Sequence, residues 1–143
     1  MTTVPYLADI NFWLALTFKK HPHSPSAWNW MDGQGPTTCF LCRMTQQGFL
    51  RLATNAKAIS APLTHHQAWQ AYDKFLSDER IEFLEEPPDI ETAWRRYSIG
   101  LQYSPKVWND AYLAAFADRW RLKILTFDKG FTAYQDLSVE LLS

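Results

Sequence analysis

Three aspartates stand where catalytic carboxylates would be useful. Asp9 closes the short apolar run Val4–Ala8, and Asp128 closes a second one, Leu122–Phe127. If both runs are parallel strands of one sheet, the two carboxylates emerge on the same edge. Asp110 lies early in a helical segment, on a stripe with Leu113, Ala114 and Ala117 at spacings of three, four and seven. An acid on an apolar stripe is costly to bury unless it is paired or bound to metal. Three carboxylates at one edge repel each other and call for a cation. Hard oxygen ligands with no competing thiolate suit Mg2+, with Mn2+ as its substitute. A water made acidic by such an ion can attack a phosphodiester while the ion screens the developing charge. Asn11 and Thr126 lie two residues from Asp9 and Asp128, where strand pleating would set them beside the acids as hydrogen-bonding support. The plainer reading makes Asp9 and Asp128 turn residues and Asp110 a favourable charge near a helix N-terminus. One shared edge for all three argues against it.

The elements that must position these acids follow from local signals. After the Val4–Ala8 strand, Asn11–Phe18 reads as a helix. Ser24-Pro25 has the form of an N-cap followed by proline, opening a helix through Trp28 and Met31 that Gly33–Pro36 breaks. Thr37–Cys42 reads as a strand, followed by a helix to about Thr54. Thr64-His65-His66-Gln67 is a capping box. Arg80–Leu84 alternates as a strand, and Glu85–Pro88 forms a loop. Asp89 then caps a helix running through Trp94. Ser104-Pro105 repeats the cap-plus-proline signal ahead of a long helix to Trp120, and Leu122–Phe127 and Val139–Leu142 follow as strands. Strands alternating with helices predict an α/β fold with a mainly parallel sheet, which binds ligands at the carboxyl ends of its strands.

Composition narrows the function classes. At 143 residues, one domain over 1–143 is expected, and an apolar content of 47% is enough for a core without staples. A net charge of −1 argues against gripping long nucleic acid by bulk attraction, which needs many phosphate contacts. The longest apolar run, Phe12–Leu16, is soon interrupted by Lys19 and Lys20, and no positive segment precedes a hydrophobic one at the start. A cytoplasmic protein with no membrane partner is expected. Cys39 and Cys42 have C-x-x-C spacing, but residues three apart on a strand face opposite sides. Buried, unpaired thiols are expected.

The segments Tyr6–Leu16, Asn109–Ala115 and Leu125–Phe131 resemble the three acidic motifs of the PIN-domain toxins, the VapC type of bacterial toxin–antitoxin pairs. Gly48–Leu52 with Thr54-Asn55 is similar to a segment of one subgroup. The resemblance implies a PIN-like three-layer fold and an Mg2+-dependent endoribonuclease acting on RNA, with Asp9, Asp110 and Asp128 as catalytic and metal-binding residues. It also implies a homodimer and a small cognate antitoxin protein as inhibitor. The chain departs from the pattern once. Many PIN nucleases carry a glutamate in the helix after the second strand, yet no acid occurs between Asp32 and Asp73. Arg43-Met44-Thr45-Gln46-Gln47 occupies that region. This motivates an alternative: a catalytically weak PIN-like domain that binds protein or RNA.

Arg51 and Lys129 are the candidate RNA-phosphate contacts, set against ordinary surface roles. His21-Pro22-His23 can hold metal or phosphate, or merely precede a helix. Arg95-Arg96 reads as a solvated face. Seven tryptophans suit both a core and protein interfaces.

Overall fold

Successive residues of the central strands enter opposite cores, and this pleating builds the layers of the molecule. The computed structural model describes residues 5–143; Val4, the head of the expected first strand, lies outside the described residues. Five strands, β1 (Tyr6–Ala8), β2 (Cys39–Leu41), β3 (Ile81–Phe83), β4 (Lys123–Thr126) and β5 (Val139–Leu141), form one sheet in the order β3-β2-β1-β4-β5. Every pairing is parallel. Ala8, Cys39, Leu41 and Leu125 point to one face. There they meet α1 (Ile10–Thr17), α2 (Ser24–Asp32), α3 (Arg43–Ala53) and α4 (His65–Ser77) through Trp13, Met31, Phe49 and Phe75. Leu7, Phe40 and Ile124 point to the other face, against Leu113 and Phe116 of α6 (Val107–Trp120). The helix α5 (Ile90–Ile99) packs outside α6 through Ala93 and Tyr97. The fold is thus the expected α/β arrangement, a parallel sheet between helical layers.

The two cysteines separate as pleating requires. Cys39 lies in one core and Cys42 in the other, both buried and free. Among the described residues, no helix is long and apolar enough to cross a membrane.

Several expected helix and strand starts shift for identifiable reasons. Ser24 is the first residue inside α2, and His23 occupies the cap position without a side-chain bond. Asp89 does not cap α5 with its side chain, because its backbone is left-handed at φ 64°. Ser104 does not cap α6 either: the Val107 N–H donates to its carbonyl at 3.2 Å, closing a turn that makes Lys106 the cap residue. Thr37 falls outside β2 because it too is left-handed, at φ 53°. The Thr64–Gln67 capping box forms reciprocally, with bonds of 3.1 and 2.9 Å.

Candidate active site

The strand order reverses between β1 and β4, since the chain builds outward to β3 on one side and to β5 on the other. Ligand crevices of open parallel sheets form at such a switch point. Asp9 directly follows β1 and Asp128 follows β4 after one intervening residue, so both rim this crevice. The Asp9 N–H donates to the Leu125 carbonyl at 2.9 Å, extending the ladder and fixing the carboxylate's height above the sheet.

Thr126 ties the two acids together. Its fully buried hydroxyl donates to Asp9 Oδ2 at 3.1 Å and accepts from the Asp128 N–H at 2.9 Å. The second Asp9 oxygen accepts from the Ile10 N–H at 2.7 Å, so the carboxylate caps α1. Asp128 Oδ1 accepts from the Gly130 N–H at 2.8 Å at the start of the 3-10 turn Lys129–Ala133. A methyl group at Gly130 would lie 3.1 Å from that oxygen and press on the carboxylate, so glycine suits the position.

Asp110 reaches the cluster from the first turn of α6. Burial, then the charges of Asp9 and Asp128, push its carboxyl up to about 6. Burial also raises Asp9, against the hydrogen bonds from Ile10 and Thr126 that favour its ionised form. Three carboxylates from three separate elements therefore sense one another at the switch point.

The cation that faces them is Lys106, whose Nζ stands 3.4 Å from Asp128 Oδ2. Its charge also favours the ionised forms of Asp9 and Asp110. The signal was present in the sequence: Lys106 precedes Asp110 by four residues, one helical turn. Lys129 and Arg51 are exposed, and among the described residues neither joins an ion pair. Arg51 lies in the last turn of α3, beside Thr54, His65 and Trp69.

Asn11 is not where strand pleating would put it. β1 ends at Ala8, and Asn11 already belongs to the first turn of α1, exposed to solvent. His23 does approach the site, stacking on Phe127 with ring centroids 4.2 Å apart, while His21 Nδ1 accepts from the His23 N–H at 3.1 Å. Arg95 and Arg96 lie on the solvated face expected of them, where they pair with Glu91 and Asp118.

In the region lacking the glutamate, Arg43, Thr45 and Gln46 are engaged with one another or with neighbours at the start of α3 and on β3. Thr45 bonds reciprocally with Cys42 at the start of α3. Arg43 donates to Gln46 Oε1 at 2.6 Å, and its guanidinium lies 4.7 Å from the centre of the Phe83 ring. Arg43 therefore turns toward β3 and is not among the charges that shift Asp9 or Asp110. Arg43→Glu is expected to leave Mn2+ affinity and RNA cleavage within about twofold of wild type, since exposed charges outside a site act weakly. A cleavage assay at saturating Mg2+ checks this, and a large change of either sign would return Arg43 to the site.

The donor set fits a hard divalent cation. All three acids offer oxygens, and their mutual repulsion is relieved by added positive charge. They are neighbours without being drawn into a ready-made cage: among the described residues, no three His, Cys, Asp or Glu side chains converge closely enough to hold an ion unaided.

A three-layer domain with acids at the switch point of a parallel sheet defines a class of α/β proteins suited to phosphate chemistry. The chain belongs to the PIN-domain family, whose family model matches residues 6–137, and within it to the VapC type. It is 41% identical to Ribonuclease VapC41 of Mycobacterium tuberculosis, over 96% of this chain and 98% of the relative. Its fold is shared with VapBC2 from Rickettsia felis bound to a promoter DNA fragment (TM-score 0.68, 17% identity, covering 96% of this chain and 98% of that one). The fold is equally that of VapC20 of Mycobacterium tuberculosis, a sarcin-ricin loop cleaving toxin (TM-score 0.68, 17% identity, covering 90% and 93%).

Proposed function

We propose that residues 1–143 act as one nuclease domain, an endoribonuclease that is the toxin of a toxin–antitoxin pair and depends on Mg2+, with Mn2+ able to replace it. The observation that carries this reading is the placement of Asp9, Asp110 and Asp128 at the switch point, where burial and then the charges of Asp9 and Asp128 push the Asp110 carboxyl up to about 6. A divalent ion held by these three carboxylates would neutralise them and supply an acidified water and a Lewis acid at the phosphodiester. Asp9 and Asp128 are held in register by the Thr126 hydroxyl, so they present fixed oxygens. Asp110 approaches from the helical layer, and the group as a whole repels the phosphodiester until its charge is balanced. Lys129 and Arg51, both exposed, supply phosphate contacts to RNA outside the cluster.

A small antitoxin protein holds the toxin in check, as the 41% identity to a VapC-type relative supports. A homodimer is the working assembly in the cytoplasm. The exposed Trp28, Trp69, Trp108 and Trp120 offer the kind of aromatic surface that both protein contacts use.

The engaged Arg43, Thr45 and Gln46, standing where many relatives carry an acid, favour a second reading in which the domain binds RNA without cutting it. One assay separates the two. Purified chain is incubated with a structured RNA in Mg2+, in Mn2+ and in excess chelator. Cleavage that needs either metal supports the nuclease. Binding of intact RNA regardless of metal would establish the scaffold instead.

A further inference from the structure

Lys106 sits at the cap of α6, one turn before Asp110, with its carbonyl accepting the Asp110 N–H at 2.9 Å. Its ammonium lies 3.4 Å from Asp128 Oδ2, while its side chain is 68% exposed and that of Asp128 only 27%. An ion pair this open and this long adds little to stability, so holding the fold together is a poor account of it. Lysine is a compact charge on a flexible four-carbon stem and can exchange one anion for another without moving the backbone.

The charges explain when the exchange occurs. Without metal, the ammonium pairs with Asp128 and its charge is felt by Asp9 and Asp110. A divalent ion that takes over Asp128 competes with the ammonium for the same oxygen. Once displaced, the ammonium stands at the rim of the cluster, where a phosphodiester has to enter.

We infer that Lys106 is a tethered counter-ion of the carboxylate cluster, released from Asp128 by the divalent cation and then paired with an RNA phosphate at the cleavage site. The assignment rests on the cluster being the metal site. It makes Lys106 a substrate-touching residue, whereas a helix-capping or purely structural lysine would act on the fold alone.

The two halves of this role have opposite signs in one variant. Lys106→Met keeps the length and apolar stem but removes the competitor. Its Mn2+ affinity, measured by calorimetry on metal-free protein, should rise about two- to fivefold, the range of one exposed ion pair. Its affinity for a short single-stranded RNA, measured with Ca2+ replacing Mn2+ and the RNA checked for integrity, should fall about three- to tenfold. The slope of log affinity against log salt should lessen by about 0.7, the loss of one phosphate contact on a single strand. Lys106→Arg should restore both values toward wild type. If metal and RNA affinity fall together, the lysine serves the fold, and if RNA affinity and its salt slope do not change, it does not touch phosphate; either result overturns the inference. Asp110→Asn run in parallel keeps the two proposals apart. Undiminished Mn2+ binding in that variant would overturn the metal site itself, whereas loss there with unaltered Lys106→Met behaviour would overturn only the role of Lys106.

Discussion

Asp110→Asn is expected to abolish RNA cleavage, by at least about a hundredfold, while making the metal-free protein more stable. The two effects come from one cause. Burial and the charges of Asp9 and Asp128 raise the Asp110 carboxyl to about 6, against roughly 3.9 in an unfolded chain. The folded state therefore holds this proton more tightly than the unfolded one. Below about pH 4 both states carry it, and the group favours folding most. As pH rises from about 4 to about 6 the unfolded chain ionises first, so stability falls through that window and the loss is complete above it. A shift of about two units would be worth roughly 3 kcal/mol in a fully buried site, but Asp110 is only half-buried. Solvent screening reduces the cost to about 1 kcal/mol. Asparagine bears no charge and escapes this cost, raising Tm by roughly 2–4 °C near pH 7.5 in chelator. The gain should shrink as pH falls below about 6, where folded Asp110 takes up its proton, and vanish only below about pH 4, where the unfolded carboxyl is protonated too. Added Mn2+ should reverse the order, because only the wild type gains stability from binding the ion. Thermal melts of both proteins in chelator and in Mn2+, at two pH values, check every part. A variant less stable than wild type at neutral pH without metal would show that Asp110 is satisfied by contacts rather than strained by burial and repulsion.

The elements that carry Asp9 and Asp128 were legible because both acids sit just past apolar runs, and a parallel sheet sends such ends to one edge. Local reciprocity made the Thr64–Gln67 box equally readable. Asn11 lies away from its predicted place because the two-residue period of the strand stops at Ala8, where the backbone turns helical. Lys106 was hidden by the Ser104-Pro105 signal, which sets the helix start too early. The carbonyl of Ser104 is spent on a preceding turn, and only this makes Lys106 the cap. Arg43 could not be oriented from sequence at all. Phe83 and Gln46 decide its direction, one from another strand and one through a side-chain rotamer. Local chemistry thus located acids at strand ends, and tertiary contacts determined which cation met them.

Thr126→Val is expected to have the second largest effect, and to separate support of the acids from support of the fold. Valine matches threonine in shape but lacks the hydroxyl, so the substitution is not neutral in a buried site. At this position the hydroxyl satisfies the Asp128 N–H and donates to Asp9 Oδ2. Its loss leaves a buried donor without a partner, costing about 1–3 kcal/mol. It also removes one of the two hydrogen bonds that favour ionised Asp9, whose carboxyl burial already raises. Asp9 then ionises only at higher pH, so the acid limb of the cleavage profile should move upward. Mn2+ affinity should fall about 10- to 100-fold, the usual cost of removing a group that orients a ligand. Thr126→Ser provides the contrast. It retains the hydroxyl and loses one methyl from a fully buried position, at a cost of about 1 kcal/mol. Serine should therefore keep the wild-type pH profile and most of the activity on a less stable fold, whereas valine should lose activity and shift the profile. Cleavage against pH for the three proteins, with melts in chelator alongside, distinguishes the cases. If valine cleaves with an unshifted profile, the bond between Thr126 and Asp9 holds the strands in place and does not prepare the carboxylate for metal.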